Sequence, residues 1–429
     1  MKAFALTVTL FLAVVLLHAQ SLNNIEQKIS KQIDADLSKH LELLKNAVNI
    51  NSGTNNIAGV KAVGQLFGEE LKALGFTVEW VELPDSLKRA GHLVASRKGT
   101  KGKKLFLIGH LDTVFEPEMV PNPFQMLNDS TATGQGVNDM KGGDVIIIAA
   151  LKALFKEGLL DDRSITVYMT GDEENAGKPN SVSRADFIQR GKLHDYALAF
   201  EGANGMHTAA SARRGSSSWK LLVSAKQGHS SQVFGSNGYG AIYEAARIID
   251  QFRLQLSKEK YLTFNPGIFI GGTDLDSLKQ KWQVAGKTNI IAPHAMVNGD
   301  LRYISADQKK KAWEKMRKIV TSNNLPGSSA TIIFAEGGIP AMFPTKGNET
   351  LVKKLSEVSK ALGYGEVKPG DPMSRGAGDI SYIAEYLDCI DGLGAWGAGE
   401  HAPGETTNIK AYPLLAKRAA IYIYRLSHE

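Results

Sequence analysis

SITVYMTGDEENAGKPNS, residues 164–181, sets a β-branched run against two adjacent glutamates and a turn-rich tail. SITVYM (164–169) alternates and is rich in β-branched residues, which predicts a strand. NAGKPNS (175–181) predicts a loop, since Gly, Pro and Asn interrupt both periodicities. Glu173 and Glu174 therefore stand where a strand ends. Adjacent carboxylates repel unless a proton or a cation lies between them. Alone, such a pair is most often a solvated loop face.

The surrounding chain alternates strand and helix. FTVEWVEL (76–83), HLVASRKG (92–99), KKLFLIGHLDT (103–113) and YALAFEG (196–202) predict strands. Helical periodicity covers 22–48, with Ile25, Ile29, Ile33, Leu37, Leu41 and Leu44 on one face. It returns in VKAVGQLFGEELKALG (60–75), KGGDVIIIAALKALFKEG (141–158) and SVSRADFIQRGK (181–192). Such alternation predicts an α/β fold, an α/β sandwich around a largely parallel sheet. In these sheets functional residues gather at the C-terminal ends of strands. His110, Glu173 and Glu201 all fall there.

After Arg214 the order becomes strand, helix, strand, strand, helix, strand, ending at SATIIFAEGG (329–338). This predicts a small inserted α/β domain with a four-stranded sheet, over about 213–329. A helix at 349–363, a strand at ISYIAEY (380–386) and a last helix from Tyr412 complete the expectation. The catalytic domain is thus expected to be discontinuous, 20–212 and 330–429.

The first nineteen residues, MKAFALTVTLFLAVVLLHA, have the layout of a secretory signal peptide. The apolar run Ala3–Leu17 is about 15 residues, short of the roughly 20 that span a bilayer. Cleavage near Ala19 and a secreted or periplasmic location are expected, with no stable membrane span. The 429 residues suit two domains, and 43% apolar with 22% charged residues is ordinary for a globular chain. A formal charge of +6 is mild, and no basic tract is interleaved with aromatics, which excludes a nucleic-acid role. The single cysteine, Cys389, rules out an intramolecular disulfide.

GHLDT (109–113) places His110 and Asp112 two apart, on the same side of a strand end. Asp112 could hold the ring nitrogen that a metal leaves unused. In GVNDMKGG (136–143), Asp139 precedes a helix led by two glycines. An N-cap would explain the aspartate but not the glycines, which suit a close backbone approach. With Glu174 committed to a cation, Glu173 is left to carry protons. Glu201, and His401 in GAGEHAP (397–403), complete two histidines and three carboxylates. Mixed N/O ligation suits zinc.

GHLDTV, GVNDMKGG, GDEE, FEG, KQGHSS, TNIIAPHAMVNGDLRY and GEHAPGE occur in that order. In this the chain resembles the M20 family of metallopeptidases, which includes glutamate carboxypeptidase, aminoacylases and succinyl-diaminopimelate desuccinylase. The resemblance implies a zinc-exopeptidase-like α/β/α catalytic domain with an inserted lid and dimerisation domain. It implies two zinc ions per chain: His110 and Glu201 on one, Glu174 and His401 on the other, Asp139 bridging. Glu173 would be the general base and Asp112 the residue orienting His110. In the insertion His229 matches a histidine that reaches across a homodimer to polarise the scissile carbonyl. Asn289 and Arg302 match residues that touch the substrate's free carboxylate. Three stretches depart from the family pattern: NAGKPNS, GHSSQVFG after His229, and SRGAGD (374–379). The expected activity is hydrolysis of a peptide or amide bond beside a free carboxylate, on a small peptide or an N-acyl amino acid. The alternatives are N-acyl-amino-acid amidohydrolase activity and ligand binding without catalysis.

Overall fold

The computed structural model describes residues 21–278 and 281–429. The stretch expected to direct export, residues 1–19, lies outside them. Among the described residues no helix is long and apolar enough to cross a membrane. The chain divides into two compact units. One takes residues up to 211 with 344–370 and 386–429; the other takes 212–343 and 371–385.

The first unit is built on a six-stranded sheet, in the order Thr77–Val81, His92–Arg97, Arg163–Thr170, Lys101–His110, Tyr196–Ala199, Asp388–Ile390. The last four strands run parallel, and the first two add on antiparallel at one edge. Continuous apolar runs such as LFLI suit central parallel strands, which are covered on both faces. Leu105, Phe106 and Leu107 are accordingly fully buried. The register sets His110 beside Thr170 and Ile108 beside Ala199. Three strands therefore end level with one another, and the residues that follow them converge.

The helix Lys141–Lys156 is buried from its first residue through Leu151, because VIIIAAL leaves it no polar face. It packs against Tyr412–Ser427, Leu37–Asn49 and Asn24–Ala35. The expected helix 22–48 is two helices, Asn24–Ala35 and Leu37–Asn49, broken at Asp36. Asp36 accepts from Lys39 at 3.1 Å, Gln32 at 2.6 Å and Lys156 at 2.5 Å, which anchors the break to the central helix.

A second sheet of this unit had no counterpart in the sequence reading. Four short antiparallel strands, Gly397–Ala398, Thr406–Asn408, Thr131–Thr133 and Gln125–Asn128, bracket residues 399–405. The strand expected at ISYIAEY is a 3-10 turn, Asp379–Tyr382, grouped with the other unit. Ile380, Ile383 and Ala384 are the buried apolar positions, a helical spacing that alternation masked. The parallel strand lies just beyond, at Asp388–Ile390.

The second unit has a four-stranded antiparallel sheet, in the order Thr263–Gly272, His294–Tyr303, Gly215–Ala225, Ser328–Phe334. Helices Ala241–Leu256 and Ala306–Thr321 share its core, around Trp219, Leu221, Ile248, Phe252, Val297 and Met316. A hairpin, Asp274–Leu278 with Lys281–Ala285, extends the connection between two of the strands and was not anticipated. The unit runs past the expected boundary at 329, because residues 339 and 342 bridge back to Ser216 and Arg213. Arg213 also holds 371–385, donating to the carbonyls of Gly376 and Ala377 at 2.9 Å each.

Candidate metal centre

Two groups of ligand-type atoms lie within 4.8 Å of one another: His110, Asp139 and Glu201, and Asp139, Glu174 and His401. Nε2 of His110 is 3.1 Å from Oδ1 of Asp139 and 3.9 Å from Glu201. Nε2 of His401 is 3.2 Å from both Oδ2 of Asp139 and Oε2 of Glu174. The two oxygens of Asp139 thus face two different histidines. All five residues expected as ligands come together in the first unit, in the expected pairing.

Each is placed by a local device. Nδ1 of His110 is 3.0 Å from the backbone carbonyl of Asp112. A carbonyl can only accept, so Nδ1 carries the proton and Nε2 is turned toward Asp139. The expected role of the Asp112 carboxylate therefore falls mainly to its carbonyl, with Oδ1 farther away at 3.6 Å. The carboxylate instead accepts the backbone N–H groups of Glu173 at 2.9 Å and Glu174 at 3.1 Å, and the Thr54 hydroxyl at 2.6 Å. Asp112 thus fixes the glutamate pair as well as the histidine.

Asp139 is presented by a residue the sequence reading missed. Glu405 is buried, and its carboxylate accepts backbone N–H groups from Gly136 at 3.0 Å, Asn138 at 2.7 Å and Asp139 at 2.8 Å. It was visible as the last letter of GEHAPGE, but no spacing rule marks a carboxylate that holds a loop 266 residues earlier. Burial pushes Glu405 up to about 7, against the pull of those three donors. The glycine pair after Lys141 is explained by the protein's own backbone. A Cβ on Gly142 would lie 2.5 Å from the Val137 carbonyl, and one on Gly143 would lie 2.0 Å from that of Phe200. The helix start is thus pressed against the strand end that carries Glu201.

The loop after the glutamate pair also has a buried base. Asp172 accepts from Arg184 at 2.5 Å, Ser183 at 2.7 Å and the Gly177 N–H at 2.8 Å. Burial would raise this carboxyl, but the charges of Arg184 and His92 hold it low. This residue of GDEE was not singled out by spacing either.

Charge balance tests whether the residues fit cations. Three carboxylates sit with two imidazoles in a partly buried pocket, an excess of negative charge. Hydrogen bonds to Asp139 and Glu174 raise His401 to about 11. Burial opposes a charged His110, yet bonds to Asp112 and Asp139 raise it well above the usual histidine range. Burial raises Glu174, only partly offset by His401. The pocket draws positive charge to the positions between its donor atoms. Borderline-soft divalent ions with N/O preference fit that donor set.

In the second unit His229 and Asn289 are neighbours: Gly228–His229 pairs with Ile290–Ile291, and Ser230 N–H donates to the Asn289 carbonyl at 2.9 Å. Ser231 N–H donates to Nδ1 of His229 at 3.2 Å. Nδ1 is therefore an acceptor, and the proton sits on Nε2 of this exposed side chain. Arg302 is not with them. It pairs with Ser216 and Thr263 at the far end of the strand that begins at His294. Eight residues of strand separate the two ends, about 26 Å at ~3.3 Å per residue. Arg302 bonds Asp300 at 2.7 Å. Beside it lies Arg214, which the sequence reading passed over, with a buried Nε that lacks a partner. Burial and the charge of Arg302 lower the Arg214 pKa, against the charges of Asp300 and Asp371.

The family model for peptidase family M20/M25/M40 matches residues 106–425. The chain belongs to this family. It is a metallopeptidase, and the two overlapping ligand groups are those of a metal-dependent hydrolase. Carboxypeptidase G2 of Pseudomonas sp. (strain RS-16) is 30% identical over 398 residues, covering 90% of this chain and 89% of that protein. The succinyl-diaminopimelate desuccinylase of Cupriavidus pinatubonensis is 26% identical over 391 residues, covering 86% and 94%. Among solved structures, the aminopeptidase PepT of Bacillus cereus superposes with a TM-score of 0.73 at 17% identity, covering 91% of this chain and 98% of that one. At that identity the likeness speaks for the fold alone.

Proposed function

We propose that this metallopeptidase is a di-zinc exopeptidase of the carboxypeptidase type, cleaving the amide bond next to a free carboxylate. The observation that carries the reading is Asp139 facing His110 with one oxygen and His401 with the other, while Glu174, next to Glu173 in the chain, faces His401 as well. Zinc held by His110, Asp139 and Glu201, and by Asp139, Glu174 and His401, would act as a Lewis acid on the substrate carbonyl and lower the pKa of an attacking water. Glu173, whose backbone is fixed by Asp112, would be the group that accepts a proton from the attacking water and returns it to the leaving amine. The outward Nε2–H of His229 is a ready donor to a developing oxyanion. Arg302, with Arg214, offers paired donors to the substrate's carboxylate.

The ~26 Å of strand between Arg302 and His294, the end nearer the His229–Asn289 pair, supports a homodimer. On this reading His229 and Asn289 complete the site of a partner subunit. The apolar stretch at residues 1–19 supports export to the periplasm or beyond. The relation to a desuccinylase keeps N-acyl amino acids as a second substrate class on the same machinery.

The test joins metal analysis to hydrolysis of dipeptides and N-acyl amino acids, each with a free or an amidated C-terminus. Two zinc ions per chain and turnover restricted to free carboxylates are expected. Arg302→Ala should weaken free substrates far more than amidated ones, and equal losses would refute the clamp.

A further inference from the structure

The loop NAGKPNS departs from the family pattern beside the metal centre, and it is braced by Arg89. Nε of Arg89 donates to the carbonyl of Asn175 at 2.6 Å, one residue beyond Glu174. Nη1 donates to the Lys88 carbonyl at 2.9 Å and reaches Oδ1 of Asn55 at 3.4 Å, one residue beyond Thr54. Thr54 and Glu174 are both held by Asp112, so Arg89 spans two segments that flank the ligands. Its stem rests on Gly177, where a Cβ would come within 3.2 Å of the arginine's Cγ. Among the described residues this leaves the two N–H groups of Nη2 without an acceptor. Lys88 and Lys178, on the same two loops, are exposed. None of the three cations has a carboxylate within ion-pair reach among the described residues, and the nearby acid Glu116 is engaged by Asn55 through bonds of 2.7 and 3.1 Å.

A half-exposed guanidinium fixed at Nε and Nη1, with no counter-charge among the described residues, is a preorganised anion receptor. We propose that Arg89, flanked by Lys88 and Lys178, recognises a negative charge on the acyl side of the substrate. The preferred substrates then carry two anionic groups, one on each side of the scissile bond, such as a peptide with an acidic residue before the C-terminal one. The inference rests on the carboxypeptidase reading, in which Arg302 takes the C-terminal carboxylate.

The experiment is calorimetric titration of the zinc-loaded Glu173→Gln protein with Asp-Glu and Asn-Glu, which differ only in that charge. Asp-Glu should bind about tenfold more tightly, as one charge-assisted hydrogen bond allows. Arg89→Met, which keeps the stem on Gly177, should erase the difference between the two peptides, over and above any loss common to both from the missing brace. Arg89→Lys should restore part of it, since charge returns without the fork. Lys178→Met, on an exposed side chain, should reduce it by about twofold. Equal, measurable binding of the two peptides to the parent protein would overturn the proposal alone. Equal weakening of both by Arg89→Met would reduce Arg89 to a loop brace and overturn it as well. Binding of neither peptide would remove it together with the carboxypeptidase reading.

Discussion

The backbone N–H of Asp139 donates to Oε1 of Glu405 at 2.8 Å, so the shared carboxylate of the metal centre is held in place from beneath by another carboxylate. Because Gly136 and Asn138 donate to the same group, Glu405→Gln should distort the loop without unfolding the protein. Loss of such an outer support typically costs 10–100-fold in metal affinity. Competition with a calibrated chelator would show that drop, with the circular dichroism spectrum unchanged. Glu405→Ala should do more, since each orphaned buried N–H costs about 1–3 kcal/mol.

Glu173 and Asp139 should fail in different ways. Glu173→Gln keeps the backbone bond to Asp112 and all proposed ligands, so both metals should stay while kcat falls about 10²–10⁴-fold. Asp139→Ala removes the residue common to both groups, and metal content itself should fall toward one ion or none. Elemental analysis of the two variants side by side separates the roles. Near-normal kcat in the first, or two retained ions in the second, would refute the assignments.

Subunit exchange tests the placement of His229. His229→Ala and Glu173→Gln should each be nearly inactive. Mixed under exchange conditions, they should regain one working site per heterodimer. Exchange verified by tagged subunits, with no recovered turnover, would show that His229 serves its own chain. A fully active monomer at assay concentration would remove the dimer as well.

His40 should make the protein acid-sensitive well above the carboxylate range. It is 2% exposed, and neither ring nitrogen has a hydrogen-bond partner among the described residues. Burial lowers it from 6.5 to about 4; Lys152 and Lys156 push the same way, against Asp36 and Glu70. The unfolded chain therefore binds this proton first. Stability is complete above pH 6.5 and falls as pH drops toward 4, by about 2 kcal/mol between pH 7 and pH 5. Urea unfolding at the two pH values should show that difference in the parent protein, and His40→Leu should lack it.

The sheet and most of the candidate site residues were legible in the sequence for one physical reason. Central parallel strands must be apolar along their length, so a polar residue at the end of LFLIG or ITVYM announces itself. His110, Glu173, Glu174 and Glu201 were found this way. Glu405 and Asp172 were not, because each acts by accepting backbone N–H groups, and that chemistry leaves no periodicity. The four short strands around 131 and 406 are too brief to show alternation. Asp36 broke a helix whose apolar stripe continues in phase across it, so the pattern hid the break. The separation of Arg302 from Asn289 depended on pairing register, which motif matching does not carry.

His401 and His110 differ sharply in access. The His401 side chain is 61% exposed, in a loop clasped between two short strands, while that of His110 is 2% exposed at the end of a central strand. Ions at the two positions should therefore exchange on different clocks. The outer one, reached from solvent through a single hairpin tip, should leave and return first. Brief chelation would then yield a half-loaded protein, and cobalt added back would colour one position only. The molecule would become a two-metal hybrid in which each ion can be watched separately by its absorption.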